Sequence, residues 1–96
     1  MLNSDIGTAA RVFTALGDET RLRLLMRLRE GGPLSIAELS EKQPMTRQAV
    51  TKHLHVLLKA GLVRASKQGR QQVWEMAPEK MKQARRWLKA LVEKPE

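Results

Sequence analysis

The stretch SIAELSEKQPMTRQAVTKHLHVLLKAG, residues 35–61, decides the fold. Ser35 and Glu38 have the spacing of a capping box, in which a hydroxyl and a carboxylate each pair with a backbone amide at a helix start. Residues 43–45 (QPM) then interrupt the helical pattern, and Thr46 is a typical N-cap residue for a second helix. The sequence therefore predicts two consecutive helices joined by a tight three-residue turn.

The second helix of this pair, predicted from Thr46 to about Ala60, has two chemically different faces. The face expected to pack on the body of the protein is apolar and consists of Ala49, Val50, Leu54, Leu57 and Leu58. The opposite face is polar, has no acidic residue and consists of Arg47, Gln48, Thr51, Lys52 and His55. A short helix, a tight turn and a two-sided second helix are typical of the helix-turn-helix, whose second helix lies in the DNA major groove.

The polar face has the residue types that recognise DNA. Arginine donates two hydrogen bonds to the acceptors of guanine, glutamine pairs with adenine, and threonine and lysine suit phosphates or the thymine methyl group. Free backbone amides at the start of the helix favour one further phosphate. We therefore predict that Arg47 and Gln48 set the sequence preference. The full set of predicted DNA contacts on this helix is Thr46, Arg47, Gln48, Thr51, Lys52 and His55.

Two helices are predicted upstream of this pair. The first runs from about Ser4 to Leu16 and ends at a left-handed Gly17. Its apolar stripe consists of Ile6, Ala9, Ala10, Phe13 and Leu16. Asp18 caps the second helix, which stops at residues 31–33 (GGP). The expected buried face of this second helix consists of Leu22, Leu25, Met26 and Leu28.

Downstream, the apolar period changes from that of a helix to that of strands. Residues 62–66 and 71–76 are predicted to form two strands around the four-residue turn 67–70 (KQGR). Three residues at or beside this tip are expected to contact a phosphate or the minor groove: Lys67, Arg70 and Gln71. Pro78 begins a last helix, because a helix start tolerates a missing amide. The apolar stripe of this helix consists of Met81, Ala84, Leu88 and Leu91, with Trp87 beside it.

The order of these elements defines the fold class. Three helices, a turn, a fourth helix, two strands and a last helix make a mainly α (α+β) winged helix-turn-helix. The chain has 96 residues and no linker long enough to divide it. We therefore predict a single DNA-binding domain over residues 1–96.

Charge is distributed unevenly along the chain. It carries 18 Lys and Arg against 10 Asp and Glu, for a formal net charge of +8. Residues 1–45 are neutral overall, residues 46–76 carry +5 and residues 77–96 carry +3. A charge run is usually a solvated surface, but the middle segment has six bases and a single acid. That imbalance favours a polyanionic partner.

Other functional classes lack the residues they need. Without cysteine, the chain has no disulfide, thiol nucleophile or zinc–thiolate site. His53 and His55, two apart on a helix, point away from each other and cannot chelate one ion. No phosphate-binding loop, HExxH or GxSxG motif is present, and no strictly apolar run exceeds three residues. We therefore expect no catalysis, cofactor, metal or membrane partner.

Four segments together resemble the ArsR/SmtB family of transcriptional regulators: DETRLRLL (18–25), AEL (37–39), QAVTKHL (48–54) and LKAGLV (58–63). The resemblance implies a dimeric winged-helix repressor that binds operator DNA and often represses its own operon. It also implies a dimer interface built from the first and last helices. The interface candidates are Ile6, Ala9, Phe13, Met81, Ala84, Trp87, Leu88 and Leu91. Packing within one chain is the alternative for each of these residues.

The resemblance also bears on metal sensing. The thiolate motif that metal-sensing members carry before the second helix of the pair is replaced here by SIAELS (35–40). The metal-ligand set of their last helix is replaced by Met81, Lys82, Gln83, Arg85 and Arg86. We therefore expect a member that does not sense metals.

The expected function is a cytoplasmic bacterial repressor, associated with the nucleoid through DNA binding. We expect a homodimer on an inverted-repeat operator in double-stranded DNA, with an effector that the sequence does not identify. One alternative is a winged-helix adaptor that binds protein or RNA without operator specificity. Such adaptors usually carry apolar or acidic residues on the outer face, which here holds Arg47, Gln48 and Lys52. A non-sequence-specific architectural DNA-binding protein is a further alternative.

Overall fold

The structure, a computed structural model, describes residues 6–93, so the predicted helix start at Ser4 lies outside the described residues. The elements are α1 (Ile6–Leu16), α2 (Glu19–Gly31), β1 (Leu34–Ser35), α3 (Ile36–Ser40), α4 (Arg47–Lys59), β2 (Val63–Gln68), β3 (Gln71–Met76) and α5 (Pro78–Val92). This order confirms the predicted winged helix-turn-helix and adds one short strand. None of the helices within residues 6–93 is long and apolar enough to cross a membrane.

The predicted caps fix where three helices begin. A carboxylate oxygen of Asp18 accepts a hydrogen bond from the backbone amide of Arg21 at 3.0 Å and starts α2. Ser35 and Glu38 form the reciprocal capping box of α3, with distances of 3.2 and 3.0 Å. Thr46 caps α4. Because these contacts are local, the spacing of the residues was enough to predict them.

The three strands form an antiparallel sheet in the order β1-β3-β2. Leu34 pairs with Trp74 and Ser35 with Val73, so β1 ties the start of α3 to the hairpin. Sequence patterns missed β1, because a two-residue strand is too short to show an alternating pattern.

The hairpin turn is tighter than predicted. Gln68 pairs with Gln71, which leaves Gly69 and Arg70 as a two-residue turn in place of the predicted four-residue turn. Gly69 has a φ of +63°, and a positive φ at the first turn position is typical of a type II′ hairpin. The strands therefore extend almost to the tip of the hairpin. We call residues 63–76 the wing.

The second helix buries a different stripe from the one predicted. Leu22 and Met26 are 46% and 50% exposed, so their expected burial is wrong. Leu24, Leu25 and Leu28 form the buried stripe of α2, which packs against α1, α4 and β3. The apolar residues of α2 outnumber those that one face can bury, and the neighbouring elements decide which are covered.

The first helix also differs from the prediction. Its buried residues are Ala9, Val12 and Ala15, whereas Ile6 is half exposed. Gly17 does not have a positive φ, so the predicted left-handed end of α1 is wrong. Its amide instead hydrogen-bonds to the carbonyl of Thr14 at 3.1 Å, in a tightened last turn.

A left-handed glycine occurs instead at the end of α4. Gly61 has a φ of +78°. Its amide donates to the carbonyl of Leu58, and the amide of Leu62 donates to the carbonyl of Leu57, at 3.0 and 2.9 Å. This pair of bonds is a Schellman motif, which ends the helix and directs the chain into β2.

Candidate nucleic-acid interface

The body of the protein holds α4 by one face only. Val50, Leu54 and Leu57 are fully buried in the core. Leu58, predicted on the same face, is 38% exposed, so its expected burial is wrong. At the first turn, the hydroxyl of Thr46 accepts a hydrogen bond from the amide of Ala49 at 3.1 Å. The packing leaves the opposite face of α4 on the surface.

The structure brings four of the six predicted contact residues of this helix together on this surface, around one open depression that Thr46 and His55 do not line. The residues that line this depression are Arg47, Gln48, Thr51 and Lys52. Of these, Arg47, Gln48 and Lys52 are exposed, and Thr51 is half-buried. The hydroxyl of Thr51 donates to the backbone carbonyl of Arg47 at 2.8 Å, so its proton is already used within the helix. Thr51 therefore offers its methyl group and an acceptor oxygen to a ligand.

His55 connects the exposed face of α4 with the wing. Its ring is exposed, and the ring centroid lies 5.8 Å from that of Trp74 in an edge-to-face arrangement. Trp74 lies on β3 and is 2% exposed. Edge-to-face contacts of this kind favour one relative placement of the two rings. The contact adds to the core packing that joins α4 to the wing.

The wing tip presents basic groups without an acidic neighbour at the turn. Lys67, Arg70 and Gln71 are all exposed. Further from the tip, Arg64 and Glu75 are paired across the two strands, with Nε and Oε1 3.3 Å apart. The charge of Arg64 is therefore partly neutralised, and the free charge of the wing lies at its tip.

Two arginines of α2 have roles that sequence patterns did not predict. One terminal nitrogen of Arg27 donates to the carbonyls of Glu38 and Leu39, at 2.8 and 3.1 Å, and so holds the end of α3. Arg21 contacts His53 of α4, with a terminal nitrogen 3.2 Å from the ring Nδ1. His53 is half-buried at this contact.

Hydrogen bonds to capping carboxylates also shift their ionisation. The backbone amide of Arg21 lowers the pKa of Asp18, and the positive charge of the Arg21 guanidinium adds to the effect. The backbone amide and hydroxyl of Ser35 lower the pKa of Glu38. Both carboxyls are therefore ionised at neutral pH, which favours the starts of α2 and α3.

The interface candidates on α1 and α5 divide into two groups. The two helices pack on each other within one chain, where Ala9 and Ala84 are buried. Three candidates are half-buried at the same contact: Phe13, Met81 and Trp87. The exposed apolar surface lies at the outer ends of the helices, on Ile6, Leu88, Leu91 and the unpredicted Val92.

The described part of the chain has no cluster of three or more His, Cys, Asp or Glu side chains that could hold a metal ion. Exposed basic groups of the described residues lie on α4, the wing tip and α5, among other surfaces. The arrangement of α4 and the wing can therefore bind an extended anion at several points.

Comparisons with known proteins agree with this geometry. A family model described as a helix-turn-helix domain matches residues 16–65. An HTH-type transcriptional regulator of Methanocaldococcus jannaschii is 32% identical over 75 residues, which cover 78% of this chain and 84% of that protein. The arsenical resistance operon repressor of Escherichia coli is 31% identical over 68 residues, covering 71% of this chain and 58% of the repressor.

Solved structures share the fold. An ArsR-like transcriptional regulator from Rhodococcus sp. RHA1 superposes with a TM-score of 0.81 at 34% identity, covering 92% of this chain and 82% of that one. A homodimeric winged helix-turn-helix DNA-binding domain from Mycobacterium bovis has a TM-score of 0.76 at 23% identity, with coverages of 94% and 82%. At that identity, the second likeness shows the fold alone.

Proposed function

Because the chain belongs to the ArsR/SmtB family of winged helix-turn-helix transcriptional regulators, we propose that it is a homodimeric repressor of an inverted-repeat operator. The family and the fold are those of DNA-binding regulators rather than enzymes. In this proposal α4 is the recognition helix, and the wing contacts the adjacent backbone. The protein also binds the DNA upstream of its own gene. The repressor role is supported by the similar E. coli protein, which is itself a repressor.

The observation that carries this proposal is the uninterrupted polar face of α4. Arg47, Gln48 and Lys52 are exposed around one depression, on a helix whose other face is fixed in the core. Such a helix enters the major groove without rearrangement of the fold. Arg47 and Gln48 contact base edges, whereas Lys67 and Arg70 contact phosphates.

The exposed apolar ends of α1 and α5 support a dimer through those helices. Leu91 and Val92 are 76% and 81% exposed, and Ile6 and Leu88 are about half exposed. Burial of such surface between two copies removes apolar area from water. We call this apolar surface of α1 and α5 the dimer seam. A two-fold axis through the dimer seam places the two recognition helices about one helical turn of DNA apart, or a multiple of it.

DNA binding is tested with a duplex that the protein itself selects from a random pool of about 30 base pairs. The affinity is measured against salt, beside an RNA of matched sequence. A dimer that neutralises six or more phosphates gives a log–log slope of about −5 or steeper. A flat salt response, failure to select any duplex, or preference for the RNA would overturn the proposal.

The dimer seam is tested by one apolar-to-charged change at each of two exposed leucines. Leu91→Asp is expected to produce a monomer in sedimentation, because a charge at the seam cannot be buried unpaired. Leu22→Asp makes the same chemical change on α2, outside the seam, and is expected to leave the dimer intact. Dissociation by Leu22→Asp, or a stable dimer of Leu91→Asp, contradicts this seam.

A further inference from the structure

Arg21 lies where three helices meet, and its guanidinium has partners on two of them. Its Nε donates to the carbonyl of Ala15 at 2.7 Å, and one terminal nitrogen donates to the carbonyl of Thr14 at 3.1 Å. The other terminal nitrogen lies 3.2 Å from Nδ1 of His53. A single side chain of α2 therefore joins the last turn of α1 to the recognition helix.

The chemistry of the groups makes this connection specific. A hydrogen bond from Arg21, which has only donors, to Nδ1 of His53 requires the tautomer with its proton on Nε2. A carboxylate oxygen of Asp18 also lies 3.8 Å from Nδ1. The carbonyl of Ala15 belongs to the last turn of α1, where no later amide of that helix reaches it, whereas the carbonyl of Thr14 also accepts from the amide of Gly17. The guanidinium is planar and its donors have fixed directions, so it satisfies all three acceptors at one placement of α1 relative to α4.

Apolar packing and this polar contact act together on that placement. Val12 and Ala15 of α1 share the buried core with Leu54 and Leu57 of α4. Beside that core, a surface groove of about 300 Å³ lies between the two helices and is lined by Ala10, Arg11, Thr14, Val56 and Lys59, among others. Apolar burial is non-directional, so the hydrogen bonds of Arg21 supply the directional part of the contact.

We propose that Arg21 is a positioning residue for DNA recognition, acting through His53. It holds the recognition helix at a fixed angle to α1, the helix of the dimer seam, and thereby sets the spacing and orientation of the two recognition helices. This role rests on the proposed function. It gives Arg21 an effect on sequence-specific binding without any contact with DNA.

The test compares variants on the selected duplex and on a random duplex of equal length. Arg21→Gln removes the guanidinium that spans the three acceptors, and His53→Leu removes the ring acceptor. Each is expected to weaken binding to the selected duplex about tenfold. Binding to the random duplex stays within about twofold and the salt slope is unchanged, since the phosphate contacts remain. The double variant is expected to bind the selected duplex as tightly as the single variant with the lower affinity, because both changes remove the same interaction.

Two control variants separate the positioning role of Arg21 from the loss of a positive charge on α2 and from the loss of the imidazole ring. His53→Asn keeps an acceptor close to the place of Nδ1 and is expected to retain the affinity of the unchanged protein. Arg29→Gln makes the same change as Arg21→Gln at an exposed position of α2 and is expected to have no effect. Equal losses on both duplexes, additive losses in the double variant, or failure of His53→Asn to retain affinity would overturn the role of Arg21.

Amide hydrogen exchange tests the same role without DNA. Arg21→Gln is expected to speed exchange in the first two turns of α4, while α5 and the wing keep their rates. A uniform rise across the chain would show that Arg21 only stabilises the fold, and would overturn the proposal. If the unchanged protein selected no duplex, the proposed function would fail, and the exchange experiment would still decide whether Arg21 holds α4.

Discussion

Removal of the two bases at the wing tip, in the variant Lys67→Ala/Arg70→Ala, is expected to make DNA binding much less sensitive to salt. Within the described chain, α4 and the wing have six bases, and Arg64 is paired with Glu75. The exposed bases that remain are Arg47, Lys52, Lys59, Lys67 and Arg70. Arg47 is assigned to base edges, so the other four make at most about eight phosphate contacts in a dimer, for a log–log slope of about −7. The variant loses about four of these contacts, which leaves a slope of about −4.

Fluorescence anisotropy of the labelled selected duplex measures this difference. Between about 50 and about 200 mM salt, the unchanged protein is expected to lose affinity about 10⁴-fold and the variant about 10²-fold. The control Lys82→Ala/Arg86→Ala removes the same number of exposed charges from α5, which packs on α1. Its log–log slope is expected to stay within about one unit of the slope of the unchanged protein. An unchanged slope in the wing variant, or an equal loss in the α5 control, would refute the assignment of the phosphate contacts.

Three further variants test the recognition helix, its end and the start of α2. Arg47→Ala is expected to reduce the preference for the selected over the random duplex about ten- to a hundredfold in competition gel shifts, and equal losses on both would contradict base recognition. Gly61→Ala is expected to lower the free energy of unfolding in urea by about 1–2 kcal/mol, because φ is +78° and the new Cβ meets Lys80 Cγ at 2.8 Å. Gly7→Ala, where a Cβ meets nothing within 4 Å, is the control and is not expected to destabilise. Since the pKa of Asp18 is lowered from 3.8, its contribution to stability is present above that pH and is lost as the pH falls through the lowered pKa. Between neutral and acidic pH, the free energy of unfolding of Asp18→Asn should therefore fall less than that of the unchanged protein. An equal fall in the two proteins would contradict the capping role.

The parts of the fold that were predictable depend on contacts between near neighbours in sequence. The caps at Asp18, Ser35 and Thr46 each join residues three apart, so residue type and spacing specify them. The polar face of α4 was predictable for a related reason. The apolar residues on the opposite face of α4 repeat with the helical period, and Val50, Leu54 and Leu57 are all buried. The roles of the contact residues on that face remain predictions.

The parts that were not predictable depend on contacts between distant residues. In α2, Leu22 and Met26 are as apolar as Leu24 and Leu28, and only the positions of α1, α4 and β3 decide which pair is buried. The strand β1 exists only because Trp74, forty residues from Leu34, supplies its partner. The division of α1 and α5 into buried and exposed ends has the same origin, since Ala9 meets α5 only after the whole chain has folded.

Arg21 shows that a distant contact can still leave a local signal. It lies in the first turn of α2, where the positive end of the helix dipole disfavours a cation. A residue that conflicts with its local environment is usually held there by a contact elsewhere in the fold. The contacts of Arg21 with α1 and with His53 resolve the conflict, because its donors meet two carbonyls and a ring nitrogen. A base at this position, three residues after a capping aspartate, is therefore better counted with the structural contacts of the recognition helix than with the surface charge that binds DNA.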